Sequence, residues 1–311
     1  MKKVMSIMLA LAALIFASSC QKEVNPYNLT NADTVVSVNV QIPEGFMTKA
    51  NGLGTLIDVL HYEIYDEDFE VKVYKGKTNV TSGQSSFDFT LVRGGSYKFV
   101  FWAQATSCKA YNTDDLREIK INYNADAMYD SAVGNLENRD AFYAIDALTV
   151  SNSGNSLSVE LKRPFAQVNF YTGDMTGTTG GDIQFNSYSI TMNKLATVFD
   201  TVNGIGKTPA DVTFESSSMV DEQDHSISGD YYKHLAMNYV LMTDNTGAII
   251  DGSAIFNVTQ AGVSYQVKHA TLEFPVQSNY RTNIYGNLFT SNGKVNTSIN
   301  PAFYGSHKDE F

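Results

Sequence analysis

The first regular pattern along the chain is an alternation of apolar and polar residues in TVVSVNVQI, residues 34–42. Val36, Val38, Val40 and Ile42 fall on one side of an extended chain, and polar residues separate them. A period of two is typical of a half-buried β-strand. A Pro-Glu-Gly sequence follows directly and ends the strand.

Short apolar runs with turn residues between them continue to residue 289. The predicted strands are 56–65, 69–74, 86–91, 97–104, 118–123, 141–150, 157–171, 183–192, 212–214, 231–242, 248–258, 263–274 and 280–289. Lys75-Gly76-Lys77 is predicted to be a turn, and residues 199–230 are mostly polar. The pattern predicts an all-β fold of mainly antiparallel strands, because no stretch has three turns of helical periodicity.

The predicted strands divide into two tandem β-sandwich domains. The loop SNSGNS, residues 151–156, is the predicted boundary, giving an N-terminal β-domain of 34–155 and a C-terminal β-domain of 156–290. Residues 291–311 are predicted to be a C-terminal strand and tail. In this strand Val295, Thr297 and Ile299 share one face.

The N-terminus carries a signal peptide, residues 1–19, with two lysines, an apolar run and small residues before Cys20. The run is too short for a bilayer span, which needs about 20 apolar residues. The pattern resembles the lipobox of bacterial lipoproteins, in which lipid is attached to the cysteine. An ordinary secretory signal is the alternative. Residues 20–33 are then a lipidated tether.

Charge narrows the classes of partner. The net charge is −11, and it becomes −13 once the two lysines of the signal peptide are removed. An acidic chain has no basic face for nucleic acid, so no nucleic-acid partner is predicted. With Cys20 lipidated, Cys108 has no intramolecular partner, and we interpret it as a packed residue.

Catalytic and metal-binding patterns are weak. The sequence has no HExxH or GxSxG motif, and its histidines are scattered: His61, His225, His234, His269 and His307. The acidic stretches 66–68 and 221–225 lack calcium-loop spacing and are interpreted as solvated turns. We therefore predict no catalytic residue, no cofactor, no metal site and no enzymatic activity.

Several segments carry a resemblance to a known family. They are LKRPFAQVNF and NYRTNIYGNLFT, with VSVNVQ, YKFVFWAQ, RDAFYAI and the lipobox. With them the chain resembles the fimbrillin-like lipoproteins, the subunits of type V pili of Gram-negative anaerobes. The resemblance implies two transthyretin-like or Greek-key β-domains. It also implies a palmitate-type lipid anchor in the outer membrane and a place in a cell-surface fimbrium that supports adhesion.

The same resemblance implies a mechanism of assembly. A trypsin-like protease cuts after a basic residue beyond the first strand, and a neighbouring subunit's strand fills the groove that opens. The cut would fall between Lys49 and Ala50, the displaced strand would be 34–42, and the donor would be 295–299. The best-known pilins carry arginine at the cut, and this donor is shorter than the strand it would replace. Partners would be other fimbrial subunits, and the stalk, anchor, tip and accessory roles all stay open.

A second hypothesis is a surface glycan-binding lipoprotein of a nutrient-uptake system. Such proteins share the lipid anchor and the β-sandwiches. Trp102 and the tyrosines would then form an exposed aromatic platform. Trp102 lies among core-type residues of its strand, which favours packing.

Overall fold

A computed structural model describes residues 33–43, 54–125, 131–175, 182–243, 247–290 and 295–300. These residues form nineteen strands in four sheets and one short 3-10 helix, Glu137–Arg139. Most neighbouring strands are antiparallel. The prediction of an all-β fold is confirmed.

The first two sheets face each other. The three-stranded sheet contains β1 (Asp33–Gln41), β4 (Gln84–Val92) and β10 (Ser156–Glu160). The four-stranded sheet contains β2 (Val59–Asp66), β3 (Lys72–Asn79), β5 (Ser96–Gln104) and β9 (Ala141–Thr149). Phe87 and Phe89 of β4 both contact the ring of Tyr62 of β2, each with ring centroids 5.1 Å apart. Apolar side chains of the two sheets thus form one sandwich core.

The other two sheets contain most of the second half of the chain. The five-stranded sheet contains β11 (Ala166–Thr172), β14 (Asp224–Ile227), β15 (Asp230–Val240), β18 (Arg281–Gly286) and β19 (Asn296–Asn300). The seven-stranded sheet contains β6 (Tyr111–Asn112), β7 (Glu118–Ile121), β8 (Ala132–Val133), β12 (Ile183–Asp200), β13 (Ile205–Ser216), β16 (Ala248–Gln260) and β17 (Val263–Val276). The rings of Phe170 in β11 and Phe274 in β17 meet edge to face at 6.1 Å. This contact joins the two sheets.

Trp102, the only tryptophan of the chain, links the two pairs of sheets. It is fully buried in β5 and contacts the rings of Tyr111 in β6 and Phe199 in β12. Its Nε1 donates a hydrogen bond of 2.8 Å to Oε1 of Gln104. The buried apolar residues accordingly form one continuous cluster across the junction.

A buried ion pair lies beside the same junction. The guanidinium of Arg163 donates from Nε and Nη2 to the two carboxylate oxygens of Asp140, each at 2.7 Å. Both side chains are almost completely buried, and the guanidinium lies 4.7 Å from the ring centroid of Phe142. Such a bidentate pair joins the start of β9 to the connection between β10 and β11.

The pairing of three strands departs from the predicted domain boundary. β10 follows that boundary but pairs with β1 in the three-stranded sheet. β7 and β8 precede it but pair with β12 and β13 in the seven-stranded sheet. The predicted strand 157–171 is two strands in different sheets, with Pro164 between them. The division into two domains stays a prediction. From β11 onwards, every described strand belongs to the five-stranded or the seven-stranded sheet.

Two local predictions were wrong. Lys75-Gly76-Lys77 lies inside β3, because the glycine makes room for the ring of Tyr62 rather than for a turn. A Cβ added to Gly76 would lie 2.4 Å from the hydroxyl of Tyr62. The polar stretch 199–230, in which only 212–214 was predicted to be a strand, holds all of β13 and all of β14. Much of β13 is exposed, so its sequence has few apolar positions from which a period of two could be recognised.

Candidate functional site: the first strand and the C-terminal strand

β1 lies between two other strands. It pairs antiparallel with β4 along its whole length and parallel with β10 from Ser37 to Gln41. The backbone bonds extend beyond the strands, since the amide of Ile42 donates to Gly83 and the amide of Leu161 donates to Gln41. Removal of β1 would therefore separate β4 from β10 and leave an open groove.

The apolar face of β1 is buried as the alternation predicts. Val36, Val38, Val40 and Ile42 are 0–4% exposed. Side chains of this size contribute about 1.5–3 kcal/mol each on burial, so the face alone contributes on the order of 10 kcal/mol before entropy. Val35 on the opposite face is 56% exposed. If β1 left, the groove would expose to water an apolar area similar to the one that these four side chains now cover.

The outer face of β1 is bound to β4 by polar side chains. The hydroxyl of Ser37 donates to Asp88 at 2.7 Å, and the hydroxyl of Ser86 donates to Asn39 at 2.8 Å. Both bonds are exposed to solvent, so each contributes at most about 1 kcal/mol. The attachment of β1 thus depends mainly on its buried face and its backbone bonds.

The predicted processing residues lie outside the described part of the chain. These are Cys20, Lys49 and Ala50. The described chain stops at Pro43, directly after β1, and resumes at Gly54. Lys49 remains the only lysine or arginine between Lys22 and Lys72 in the sequence. Lipidation and cleavage stay predictions.

β19 carries the predicted donor residues at the edge of the five-stranded sheet. It pairs antiparallel with β18, where Ile299 lies opposite Thr282 and Thr297 opposite Ile284. Both β18 residues are fully buried, but Ile299 is 37% exposed and Thr297 is exposed. Val295, just before the strand, is partly buried against the core. An apolar face at a free sheet edge is therefore only lightly covered.

Sequence reasoning missed β10 as the second partner of β1. Leu157 and Val159 are buried beside Val38 and Val40, which are their register partners. Their alternation was visible as a strand. The pairing of β10 with a strand about 120 positions earlier could not be predicted, because parallel pairing leaves no local turn signal.

Within the described residues, the aromatic side chains do not form the exposed platform that the glycan-binding hypothesis predicts. Trp102 is completely buried. Among the strongly exposed large hydrophobic residues of the described chain, Tyr231 is the single aromatic. Sugar rings stack on exposed aromatic faces, and most aromatic side chains of the described residues are buried in the core.

The fold and these two strands define an all-β protein with a first strand that lies between two others and buries one face, and an exposed C-terminal strand. The chain belongs to a family of unknown function, DUF6562, whose sequence profile matches residues 29–310. A comparison with curated protein sequences finds no match. No helix in the described residues is long and apolar enough to cross a membrane.

Three solved structures illustrate what the fold is similar to. A proposed polysaccharide-binding protein of Bacteroides thetaiotaomicron is 14% identical, with a TM-score of 0.49 over 85% of this chain and 98% of that one. A C-terminally truncated tip fimbrial protein of Porphyromonas gingivalis is 14% identical, with a TM-score of 0.43 over 86% and 99%. The fimbrial anchor protein of the same organism is 9% identical, with a TM-score of 0.44 over 86% and 97%. At these values none of the three descriptions extends to this chain.

Proposed function

We propose that this protein is a subunit of a cell-surface fimbria, anchored to the outer membrane through lipid on Cys20 and assembled by strand exchange. A trypsin-like protease would cut after Lys49, β1 would leave, and the C-terminal strand of a neighbouring subunit would take its place. The proposal includes support of adhesion and contains no catalytic step. The family resemblance of the sequence motivates it.

The position of β1 is the observation that carries the proposal. A central strand that also stands first in the chain can be removed by a single cut, without breaking the connection between any other strands. The vacated groove would expose Phe89 and Leu91 of β4 and Leu157 and Val159 of β10, which are 2–7% exposed with β1 in place. An open groove with two unpaired strand edges favours capture of another strand.

The C-terminal strand has the properties of a donor. It lies at a sheet edge, β18 is its single strand partner among the described residues, and its apolar face is poorly covered. Thr297 and Ile299 are exposed where they are, whereas insertion of the strand into the groove would bury them together with Val295. A difference in burial of this kind favours exchange between subunits.

Limited trypsin digestion of a tag-free chain of residues 21–311 tests the proposal. Any cut between Lys22 and Lys72 must fall after Lys49, so mass spectrometry of the new N-terminus identifies it as Ala50. Light scattering then follows oligomers of the cut protein in low urea, which speeds the loss of β1. The matched variants are Lys49→Arg, which keeps the cut, and Lys49→Gln, which removes it.

We expect the unchanged chain and Lys49→Arg to be cut and to form oligomers, and Lys49→Gln to stay monomeric. Ile299→Asp should be cut normally but not assemble, because a charge cannot enter an apolar groove. Asn296→Asp carries the same charge on the opposite face of β19 and should assemble. Protection of Lys49 from trypsin, or a cut protein that loses β1 and stays monomeric, would refute the proposal.

A further inference from the structure

Three potential metal ligands meet at one end of the five-stranded sheet. Asp221, His225 and His234 each offer a ligand atom, and these three atoms lie within 4.8 Å of one another. Nε2 of His225 lies 2.9 and 3.0 Å from the two carboxylate oxygens of Asp221. In the sequence the two histidines are nine positions apart. The hairpin of β14 and β15 brings them together.

Backbone pairing holds the three residues in place. His225 lies opposite Tyr232 in the hairpin, so His234, two residues further along β15, shares its face. The amide of Val220 donates to the carbonyl of His234 at 3.1 Å, which keeps Asp221 beside β15. The carboxylate of Asp221 also accepts a hydrogen bond of 2.9 Å from the amide of Gln223. The cluster is thus fixed by the sheet and its adjoining turn.

His234 is oriented as a metal-binding histidine usually is. Its Nε2 lies 3.1 Å from Oδ1 of Asn169, whose own amide group donates to Asn283 at 3.1 Å. A neutral ring that carries its proton on Nε2 donates to Asn169 and keeps its lone pair on Nδ1. Metal-ligating histidines commonly donate their second ring nitrogen in this manner. The ring of Tyr171 stacks on His234 at 4.3 Å and limits its rotation.

Charged groups of both signs surround the three residues, and Arg281 lies close enough to His234 to interact with it electrostatically. Arg281 opposes a bound cation, whereas the carboxylate of Asp221 favours one. The nearby ammonium of Lys233 is bound to Asp224 at 2.8 Å.

We propose that Asp221, His225 and His234 bind one divalent transition-metal ion, with zinc as the representative species. Two imidazoles and one carboxylate are a ligand set that zinc accepts, whereas calcium and magnesium prefer oxygen ligands alone. Zinc with three protein ligands keeps a fourth position open. Asp221 and His225 are partly exposed, with side-chain exposures of 31% and 16%, which gives the ion a path from solvent.

A bound ion would fasten β14 and its preceding turn to β15. The ion would replace the contact between His225 and Asp221 and add a bond to the buried His234. Binding to the folded chain alone raises its stability in proportion to the logarithm of the metal concentration. The site is independent of strand exchange, since β1 and β19 contribute no ligand.

Isothermal titration of zinc chloride into the chelator-treated chain of residues 21–311, prepared without a histidine tag, tests the proposal. We expect saturable binding of one equivalent and an increase in melting temperature. Asp221→Asn and His225→Gln should each weaken binding by about tenfold or more. Asp251→Asn, which changes an exposed carboxylate of another sheet, and His61→Gln, which removes a distant histidine, should bind like the unchanged chain.

Cobalt gives a second readout, because its visible absorption reports a four-coordinate nitrogen and oxygen site and should disappear when zinc is added. Circular dichroism checks that each variant folds. Absence of saturable zinc binding would overturn the proposal. Binding that survives unchanged in both ligand variants, or a preference for calcium over zinc, would overturn it as well.

Discussion

Asp140→Asn should sharply destabilise the protein. The change replaces the carboxylate that pairs with the buried guanidinium of Arg163 by a neutral amide, so its two 2.7 Å hydrogen bonds lose their charged acceptor. Both side chains are at most 3% exposed, so water cannot compensate. Loss of one partner of a buried ion pair typically costs 3–5 kcal/mol. We expect a loss of about 3–5 kcal/mol here.

Urea unfolding followed by the fluorescence of Trp102 measures this loss. Trp102 is the only tryptophan, and its ring lies 6.3 Å from that of Phe165, two residues after Arg163. The signal therefore reports the region that the ion pair holds together. The midpoint should fall while the slope stays unchanged. Asp251→Asn, at an exposed carboxylate of β16, is the matched control and should change stability by less than about 0.5 kcal/mol.

A double-mutant cycle measures the interaction energy between Asp140 and Arg163 apart from their contacts with other residues. Arg163→Met leaves the carboxylate alone, and combining it with Asp140→Asn removes both charges, so the double variant should lose less stability than the two single losses added together. Burial raises the pKa of Asp140, and Arg163 opposes the rise. A carboxyl already protonated in the folded protein would tolerate the amide. A loss under about 1 kcal/mol, or additive losses, would thus refute the charged pair.

Three further predictions concern the first sandwich. Val38→Ala should cost about 2 kcal/mol in urea unfolding, whereas Val35→Ala, at a position 56% exposed, should cost less than about 0.5. Burial, with nearby lysines, lowers the pKa of His61 to about 4. The unfolded chain therefore takes up this proton first, and the free energy of unfolding should fall as the pH drops from 6.5 towards 4. His61→Gln should reduce the slope of the free energy of unfolding against pH by about one proton. Gly76→Ala should lower the melting temperature, because the new methyl group displaces the ring of Tyr62 at a cost of about 1–3 kcal/mol; an unchanged melting temperature would contradict this packing.

The local features of this fold, such as single strands and their buried faces, can be predicted from the sequence. The alternation of Val36, Val38 and Val40 predicts both the strand and its buried face, because one face of β1 packs and the other meets water. Gly76 is a residue whose position in a strand could not be predicted from the local sequence. A glycine between two lysines is typical of a turn, and only the position of the Tyr62 ring explains why it lies in a strand.

Long-range pairing accounts for what could not be predicted. The parallel contact of β1 with β10 leaves no trace near either strand. The Asp221, His225 and His234 cluster depends in the same way on β14, a strand of four residues in a polar stretch. A hairpin as short as this gives too few apolar positions for a period to be recognised.

The pairing of β1 with β10 also orders events during folding. Val38 reaches its partner Leu157 only after about 120 further residues have emerged from the ribosome or the secretion channel. Contacts over such separations form slowly, because the chain must close a long loop before they yield any stabilisation. The pairing of β1 is therefore among the last to be completed. The backbone edge of β1 that pairs with β10 stays accessible to other proteins for longer than the edges of the other strands of the first sandwich.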